Sequence, residues 1–352
     1  MSTMFDPTKH KLRCASSLSR MNVFVFTGVE KRSYKHSYFD HIEDMIAALP
    51  DIINRTTSIE SAALVFTDLK HYRLCIKQRV LKNKRYVIVE LNDAATCLIR
   101  ELKHLSCAAV LKPTVLARSG MHAGPLINGR QHFTELNRVH KLFPAAETNM
   151  SPIDPKLFRK VYCILPHLKR FISKMESVEP VPLHDRVIDV SFLGTINYGA
   201  GYGQLITQNR QLLIDTLQRM SPALRTFTSR RKLGYDAYLA NITNSKMFVS
   251  PYGWGEFSHK DFEVALLGGV LIKPLCGNFK CYPNIYEPDV TCVSCALDYS
   301  DLEEIVTNLL REPERMSLLA RNMRKRVDDF MVAENQTRAF RSFLSSIGTS
   351  SI

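Results

Sequence analysis

The densest group of residues able to do chemistry lies between positions 250 and 274. Gly253 and Gly255 would let a loop backbone approach a ligand closely, because glycine has no Cβ atom. Ser258 followed three residues later by Asp261 is typical of a capping box, which predicts that a helix begins there. Free backbone N–H groups and the helix dipole favour an anion at such a helix start by about 0.3–1 kcal/mol per charge. The stretch therefore predicts a site for an anion such as a diphosphate.

Two charged residues on the predicted helix have the chemistry to hold the rest of a nucleotide. Glu263 lies about one turn into the helix, and a carboxylate there can accept hydrogen bonds from both ribose hydroxyls. Lys260 lies near the start of the predicted helix, which makes it a candidate for binding phosphate. The helix ends at Gly268 and Gly269 and leads directly into a strand, so the site would lie at the C-terminal ends of strands. The alternative is that the glycines only make tight turns and that Glu263 is a solvated helix residue.

A second glycine-rich segment, residues 194–203, follows the first predicted strand of the second half. Its glycine spacing differs from the G-x-G-x-x-G pattern, so a nicotinamide site is disfavoured. The basic run 230–232 includes Arg231, and clustered cations there would neutralise a diphosphate leaving group in place of a metal ion. The alternatives are a flexible surface loop for the first segment and a solvated basic turn for the second.

The stretch from 250 to 274 resembles the nucleotide-sugar-binding domain of GT-B glycosyltransferases. The similarity is to the group-1-like branch that includes the CgeB/YkvP-type transferases, and more loosely to exostosin-type enzymes. Their pattern is a Ser-Pro-aromatic-Gly-x-Gly-Glu loop, an Asp-aromatic-Glu-Ala helix, and a small-Gly-x-Leu-Leu/Ile-x-Lys-Pro strand. Residues 250–256 match the loop, residues 261–265 match the helix with Val264 inserted before the alanine, and residues 268–274 match the strand without the residue before the lysine. The resemblance spans about residues 187–330, with further matches at 190–195, 286–289 and 298–302. In the first half it is limited to residues 128–133.

The resemblance implies metal-independent transfer of a sugar from a nucleotide-diphosphate sugar to an acceptor hydroxyl, with the donor as co-substrate and no bound cofactor. It also implies that Glu263 binds the ribose and that the loop starting at Gly194 faces the donor phosphates, assisted by Arg210. In GT-B enzymes two glutamates separated by seven residues contact the sugar and the ribose. Here six residues separate Glu256 from Glu263, and Glu256 is the corresponding catalytic candidate. The absence of an Asp-x-Asp motif argues against the metal-dependent GT-A mechanism.

A general base for the acceptor would have to lie in the first half and face the cleft. The candidates are Asp93, which follows a predicted strand, and the two histidines His122 and His132. For each of them the alternative is a hydrogen-bonded loop or surface residue. A retaining mechanism would need no separate base.

The elements that must position these residues alternate between strands and helices in both halves. Short β-branched or aromatic runs predict buried parallel strands, and apolar residues at helical spacing predict the helices between them. Residues 113–160 are predicted to form loops with short helices, and residues 176–185 a linker. The predicted strands are 23–27, 63–67, 86–90, 108–111, 187–193, 247–250, 270–272 and 291–293. The predicted helices are 39–53, 208–220, 235–242, 259–267, 301–311 and one or two within 314–343, and residues 70–84 are predicted to form a helix followed by a turn.

This order of elements predicts an α/β, GT-B-like fold, in which two Rossmann-like doubly wound domains face a cleft and C-terminal helices follow. The predicted divisions are an N-terminal extension over 1–20, an acceptor-side domain over 21–180 and a nucleotide-sugar-binding domain over 181–330. The remaining residues, 331–352, are predicted to form a helix that packs back on the first domain.

The net charge of +13 is distributed unevenly along the chain. Residues 1–186 contain 29 Lys and Arg against 17 Asp and Glu, whereas residues 187–352 contain 18 against 17. We therefore hypothesise an anionic acceptor (a glycan, lipid or protein) or an anionic membrane surface at the first half, with a solvated basic face as the alternative. Aromatic residues are sparse in the basic tract 70–85, which disfavours nucleic acid. The competing functions are a non-catalytic binding protein for anionic surfaces or nucleic acid, and a sugar-phosphate isomerase or phosphorylase on the same fold.

Nine scattered cysteines without a visible secretory signal favour reduced thiols in the cytoplasm, where the protein could also be peripheral at a membrane. No apolar run is long enough for a membrane-spanning helix. Cys276, Cys281, Cys292 and Cys295 have a spacing that superficially suggests zinc, but Cys292 falls in a predicted strand. Buried structural thiols are therefore the expectation, with a zinc site as the alternative.

Overall fold

The computed structural model contains two all-parallel β-sheets, one in each half of the chain. It describes residues 20–26, 36–77, 84–91, 94–97, 100–122, 126–144, 154–164, 175, 178–229, 231 and 233–348. Residues 1–19 of the predicted extension 1–20 and the candidate Asp93 lie outside these residues. Within them, no helix is long and apolar enough to cross a membrane.

The first sheet has six strands in the order β2-β1-β3-β4-β5-β7. Every neighbouring pair is parallel, as expected for short runs of β-branched and aromatic residues that are buried on both faces. Its strands are β1 (Met21–Phe26), β2 (Ile53–Arg55), β3 (Leu64–Asp68), β4 (Arg85–Val89), β5 (Cys107–Leu111) and β7 (Val161–Tyr162), with β6 (Thr114–Leu116) outside the sheet.

The second sheet has five parallel strands in the order β13-β11-β10-β8-β9. Its strands are β8 (Ile188–Leu193), β9 (Thr226–Ser229), β10 (Ser245–Val249), β11 (Val270–Pro274) and β13 (Val293–Cys295), with β12 (Phe279–Cys281) outside the sheet. Because β8 and β10 are neighbours, the loops that follow their C-terminal ends lie side by side.

Helices cover the sheets and supply the cores. In the first half they are α1 (His36–Ala47), α2 (Leu69–Lys77) and α3 (Gln131–His140). In the second half they are α4 (Gly203–Arg219), α5 (Tyr235–Thr243), α6 (His259–Leu266), α7 (Leu302–Arg311), α8 (Pro313–Met331) and α9 (Ala333–Gly348). Apolar residues of α1 and α9 form one core with the first sheet, and those of α2 form a separate core with it. The second sheet packs against α4, α7 and α8. This architecture of two parallel α/β sheets with C-terminal helices confirms the predicted fold class.

Strand β6 and helix α9 supply two of the connections between the halves. Strand β6 pairs with β12 in an antiparallel ribbon that joins residues from both halves. Helix α9 returns to the first sheet, where Phe340 and Phe343 contact Phe66 with ring centroids 5.9 and 6.5 Å apart. Arg341 also forms an ion pair with Asp51 at 2.7 Å.

Several predicted element boundaries are wrong for local physical reasons. The helix predicted over 39–53 ends at Ala47, because Pro50 disfavours a helical conformation before it, and Ile53 instead begins the edge strand β2. The predicted strand 291–293 is displaced to Val293–Cys295, so Cys292 precedes the strand. Residues 113–160 contain the ten-residue helix α3 as well as loops.

Candidate functional site

The loops that follow β8 and β10 meet the start of α6 at one edge of the second sheet. Lys260 in the first turn of α6 donates a hydrogen bond to the carbonyl of Leu193, the last residue of β8. A Cβ atom on Gly194 would lie 2.8 Å from Lys260 Nζ and 3.2 Å from Arg210 Nη1. Glycine at this position therefore allows both cations to approach the loop backbone.

The start of α6 is held rigidly by Asp261. Ser258 and Asp261 form the predicted capping box, and Lys273 lies 2.9 Å from the Asp261 carboxylate with both side chains fully buried. The hydroxyls of Ser250 and Tyr286 also donate hydrogen bonds to this carboxylate. Asp261 is thereby saturated with partners inside the protein, and its role is to orient the N-terminus of α6 toward the loops.

Buried Arg210 and partly buried Lys260 are two cations that form no ion pair with a carboxylate of the described residues. Arg210 donates hydrogen bonds to the carbonyls of Tyr252 and Thr195, at 3.1 and 2.6 Å, and its guanidinium lies 4.7 Å from the centre of the Tyr198 ring. Burial, together with the charge of Arg210, lowers the pKa of Lys260 to about 8. Burial also lowers the pKa of Arg210. A bound anion would stabilise both charges.

Glu263 lies one turn beyond Lys260 and is only 8% exposed. Burial raises the pKa of its carboxyl, and the hydrogen bond from the Tyr238 hydroxyl opposes that rise. Lys260 Nζ lies 5.2 Å from the centre of the same Tyr238 ring. The structure therefore brings Gly194, Arg210, Lys260 and Glu263 together. It adds Tyr238, which sequence spacing did not indicate because its partners come from a different helix.

Glu256 contacts the first half of the chain. Its carboxylate accepts a hydrogen bond from the backbone N–H of Ala95 at 2.7 Å. His132 Nδ1 lies 3.0 Å from the other carboxylate oxygen, close enough for an ion pair although not aligned for a hydrogen bond. Burial acts to raise the pKa of Glu256, but His132 and the Ala95 N–H outweigh it and hold the pKa below its usual value.

The predicted segment 128–133 is the part of the first half that touches the loop after β10. Arg130 donates a hydrogen bond to the carbonyl of Trp254, next to the contact between His132 and Glu256. The side chain of His132 is 1% exposed, and its Nε2 atom has no hydrogen-bond partner among the described residues. His132 thus lies at the junction of the two halves, against Glu256, which directly follows Gly255 in the loop after β10.

The remaining candidates lie elsewhere or outside the described residues. Arg231 is exposed beyond β9, where its backbone closes a turn with Ser229. It has no hydrogen bond or ion pair to the cluster around Lys260, which consists of Gly194, Arg210, Lys260 and Glu263. Its neighbours at 230 and 232 lie outside the described residues. His122 ends a short 3₁₀ helix, Ser119–His122, and its side chain is outside the description, as is the whole of Asp93.

The late cysteines are buried and carry free thiols in this structure. Cys276 and Cys292 have sulfur atoms 3.3 Å apart, whereas burial raises the pKa values of Cys281 and Cys295 well above normal. In the part of the chain that the structure describes, no group of three or more His, Cys, Asp or Glu side chains could hold a metal ion.

A cavity of about 750 Å³ lies away from this cluster, between residues 180–186 and α8. Its two innermost cations are engaged within the protein: Arg186 donates to the carbonyls of Val181, Ser245 and Leu267, and Lys246 pairs with Asp189. Its outer cation Arg321 is an exposed residue on α8. The residues with unmatched charge and close backbone approach lie at the other end of the strands, so the cluster around Lys260 is the candidate site.

Comparison with known proteins shows only distant similarity. No known protein family and no curated protein matches the sequence. Among solved structures, Alr3699/HepE of Anabaena in complex with UDP and glucose is 10% identical, with 93% of this chain and 100% of that chain covered and a TM-score of 0.45. The glycosyltransferase of Rickettsia africae ESF-5 is 9% identical, with coverages of 95% and 100% and a TM-score of 0.48. An α1,3-fucosyltransferase with GDP is 11% identical, with coverages of 99% and 98% and a TM-score of 0.44.

Proposed function

We propose that the chain is a glycosyltransferase that moves a sugar from a nucleotide-diphosphate sugar to an acceptor hydroxyl without a metal ion. The observation that carries this proposal is a pair of cations, buried Arg210 and partly buried Lys260, beside the glycine backbone at residue 194. Neither cation forms an ion pair with a carboxylate of the described residues, and both lie where open parallel sheets bind ligands. A diphosphate supplies the matching charge.

The chemistry of transfer assigns roles to these residues. The bond between the sugar's anomeric carbon and the phosphate oxygen breaks, and the acceptor oxygen forms a new bond to that carbon while its proton passes to a base. The leaving diphosphate gains negative charge, which Arg210 and Lys260 would stabilise. Glu263 would accept hydrogen bonds from the ribose hydroxyls, and Gly255 would allow the loop to approach the donor. Arg231 is proposed as a further cation that neutralises the diphosphate of the donor.

The two halves of the chain would bind different substrates. Residues 181–330 would hold the donor, and residues 21–180 would present the acceptor, with the C-terminal segment 331–352 closing back on the first part. Asp93 and His122 are the proposed acceptor-side bases. Glu256 is proposed to contact the sugar once its link to His132 is released, since it lies next to Gly255 on the donor loop. The large positive charge of the first half favours an anionic acceptor.

A ligand screen tests the donor site. Thermal unfolding would be followed with nucleoside diphosphates and nucleotide sugars of different bases, and one of them should raise the melting temperature. A ligand at 100 times its Kd adds about 2.7 kcal/mol to the free energy of unfolding. Absence of any shift across the whole set at millimolar concentrations would contradict the proposal.

A turnover assay separates a transferase from a binding protein that uses the same scaffold. Incubation of the purified protein with the donor identified by the screen should release the nucleoside diphosphate slowly, by transfer to water. The release should depend on Glu263. Stable donor binding without any release, with or without candidate acceptors, would favour the non-catalytic alternative.

A further inference from the structure

We propose that the first half of the chain docks onto an anionic lipid bilayer through a surface separate from the nucleotide site. This surface, called here the α2 surface, consists of the outer sides of α2, of the 3₁₀ helix Arg100–Lys103 with the turn 104–106, and of the 3₁₀ helix Pro155–Lys160. The inference does not depend on the proposed transfer reaction.

The three elements cover one face of the first sheet together. Tyr72 of α2, Leu102 of the first 3₁₀ helix and Leu157 of the second belong to the same apolar core, whereas α1 and α9 pack in a different core of that sheet. Hydrogen bonds also tie the elements to one another. The Tyr72 hydroxyl lies 3.1 Å from His104 Nδ1, and Lys160 Nζ donates to the Cys107 carbonyl at 2.9 Å.

The outer side of α2 is basic and carries a leucine. Because Tyr72 points into the core, helical geometry places residues at i, i+3, i+4 and i+7 from Lys70 on the outer side. These residues are Lys70, Arg73, Leu74 and Lys77, and all four are exposed. Leu74 is 47% exposed amid three cations, an arrangement typical of helices that lie on anionic membranes.

The neighbouring elements extend this character. Leu105 in the turn after the first 3₁₀ helix is 99% exposed, which is costly for a leucine that stays in water. Lys103, Lys156 and Arg159 are exposed on the two 3₁₀ helices, and none of them forms an ion pair with a described residue. The surface therefore combines protruding aliphatic side chains with unmatched positive charge.

The nearby carboxylates do little to cancel that charge. Glu101 forms an ion pair with Arg73 at 2.5 Å and is largely covered, and Asp68 lies 2.5 Å from His71 Nδ1. Asp154 is exposed, and its side chain caps the second 3₁₀ helix by accepting a hydrogen bond from a backbone N–H at 2.9 Å.

The exposed apolar groups favour lipid over nucleic acid. Single-stranded nucleic acid is bound by aromatic side chains that stack on bases, whereas Leu74, Ile76 and Leu105 are aliphatic. Aliphatic side chains can enter the region between lipid headgroups and acyl chains while lysines remain among the phosphates. The charge and the side-chain chemistry together therefore match an anionic bilayer.

Vesicle sedimentation with the full-length protein tests the proposal. The wild type should bind vesicles of phosphatidylcholine containing about one third phosphatidylglycerol, bind pure phosphatidylcholine far more weakly, and lose binding as salt rises. The double variant Lys70→Glu/Lys77→Glu should lower the partition coefficient at least about tenfold, because each cation near an anionic surface contributes several-fold. Leu105→Asp should lower it at least about fivefold, because the leucine no longer enters the lipid interface.

Matched variants on the second half provide the controls. Arg311→Glu/Arg321→Glu makes the same change of net charge at exposed cations without ion pairs, and Leu318→Asp changes a leucine that is 50% exposed on α8. Both controls should sediment like the wild type. The proposal is overturned if the wild type does not bind the anionic vesicles, if the controls lose as much binding as the α2-surface variants, or if those variants lose polynucleotide binding while vesicle binding is absent. Nucleotide-induced thermal shifts, measured on every variant, report separately on the proposed function.

Discussion

At the scale of single residues, the candidate site rests on ionisable groups that are buried without full compensation. Lys260 is held beside Arg210 and the carbonyl of Leu193, and Glu263 is held by Tyr238. Buried charges of this kind are costly unless they are used, so they mark a ligand site more strongly than exposed charges do. The two side chains are predicted to contact different parts of one ligand, which makes their contributions separable.

The pKa of Lys260 near 8 leads to a prediction about pH. Diphosphate binding favours the protonated lysine, so affinity should fall as pH rises above about 8, and binding at that pH should take up protons. Lys260→Met should weaken nucleoside diphosphate binding about tenfold and remove this part of the pH dependence. Calorimetry at several pH values, in buffers with different ionisation enthalpies, measures both effects. An unchanged pH slope in the variant would show that another group is responsible.

Glu263 is expected to contribute to binding of the ribose and not of the phosphates. Glu263→Ala is expected to weaken nucleoside diphosphate binding about 10- to 100-fold, because this is the affinity that hydrogen bonds to a charged group contribute. The affinity for inorganic pyrophosphate should stay unchanged, because pyrophosphate has no ribose. Lys260→Met should weaken both ligands. Glu263→Gln is the conservative control, and circular dichroism checks that each variant is folded. Equal loss of pyrophosphate and nucleotide binding in Glu263→Ala would move Glu263 from the ribose to the phosphates.

At the scale of elements, the loop after β8 shapes the candidate site because its backbone lies close to two side chains from separate helices. A Cβ atom on Gly194 would meet Lys260 at 2.8 Å, whereas one on Gly234, which has φ −60°, would meet no heavy atom of the described residues within 4 Å. The two glycines therefore form a matched pair in the same half of the chain.

Gly194→Ala is expected to lower nucleotide affinity at least about tenfold, because the new methyl group displaces both cations. Gly234→Ala should leave affinity unchanged and should change the free energy of unfolding by less than about 1 kcal/mol, because the lower entropy of the unfolded chain and the weaker preference of alanine for this N-cap position act in opposite directions. Calorimetric titration and thermal unfolding of both variants provide the comparison. Equal nucleotide affinities would mean that the loop after β8 does not shape the site.

Helix α9 gives a stability prediction at the same scale. Phe343 is fully buried against Phe66 and Tyr162, so Phe343→Ala should lower the free energy of unfolding by about 3–5 kcal/mol. Arg338→Ala, at an exposed position of the same helix, should change it by less than about 0.5 kcal/mol. Urea unfolding measures both. A loss below about 1 kcal/mol for Phe343→Ala would mean that α9 is not an integral part of the first core.

At the scale of the whole molecule, the ion pair between His132 and Glu256 connects the two halves next to the candidate site. Because the pKa of Glu256 is lowered in the folded protein, its contribution to stability is present above its unfolded value near 4.5 and is lost as pH falls through the folded value. The contribution of the Glu256 carboxylate to this contact is thus present at neutral pH and is lost in acid.

A double-mutant cycle of Glu256→Gln and His132→Ala should give a coupling free energy of about 0.5–3 kcal/mol at pH 7. At about pH 3 the coupling should be smaller, because the carboxylate is protonated only as pH falls toward its lowered folded pKa. Urea unfolding of the four proteins at both pH values supplies the cycle, and Glu135→Gln, at a partly exposed residue on α3, is the control for a general loss of charge. A coupling near zero at pH 7 would mean that the two side chains are neighbours without mutual stabilisation.

The fold class and the donor-loop chemistry could be predicted from the sequence because both depend on local order. Short β-branched runs alternating with amphipathic segments specify parallel strands and helices, and the serine and aspartate of the capping box set the start of α6 within one residue. Predictions from the same local patterns are wrong where tertiary contacts outweigh helix propensity. Ile53, for example, joins the edge of the first sheet instead of extending α1.

The sequence by itself determined which residue types stand at the ends of strands β8 and β10, since glycine, lysine and glutamate are read directly from their positions. Only the tertiary structure decided their partners. Tyr238 holds Glu263 from another helix, and His132 holds Glu256 from the other half of the chain, more than a hundred residues away. The physical reason is that charge compensation in a buried site depends on distances between side chains. Those distances are set by the packing of whole elements and not by the spacing of residues along the chain.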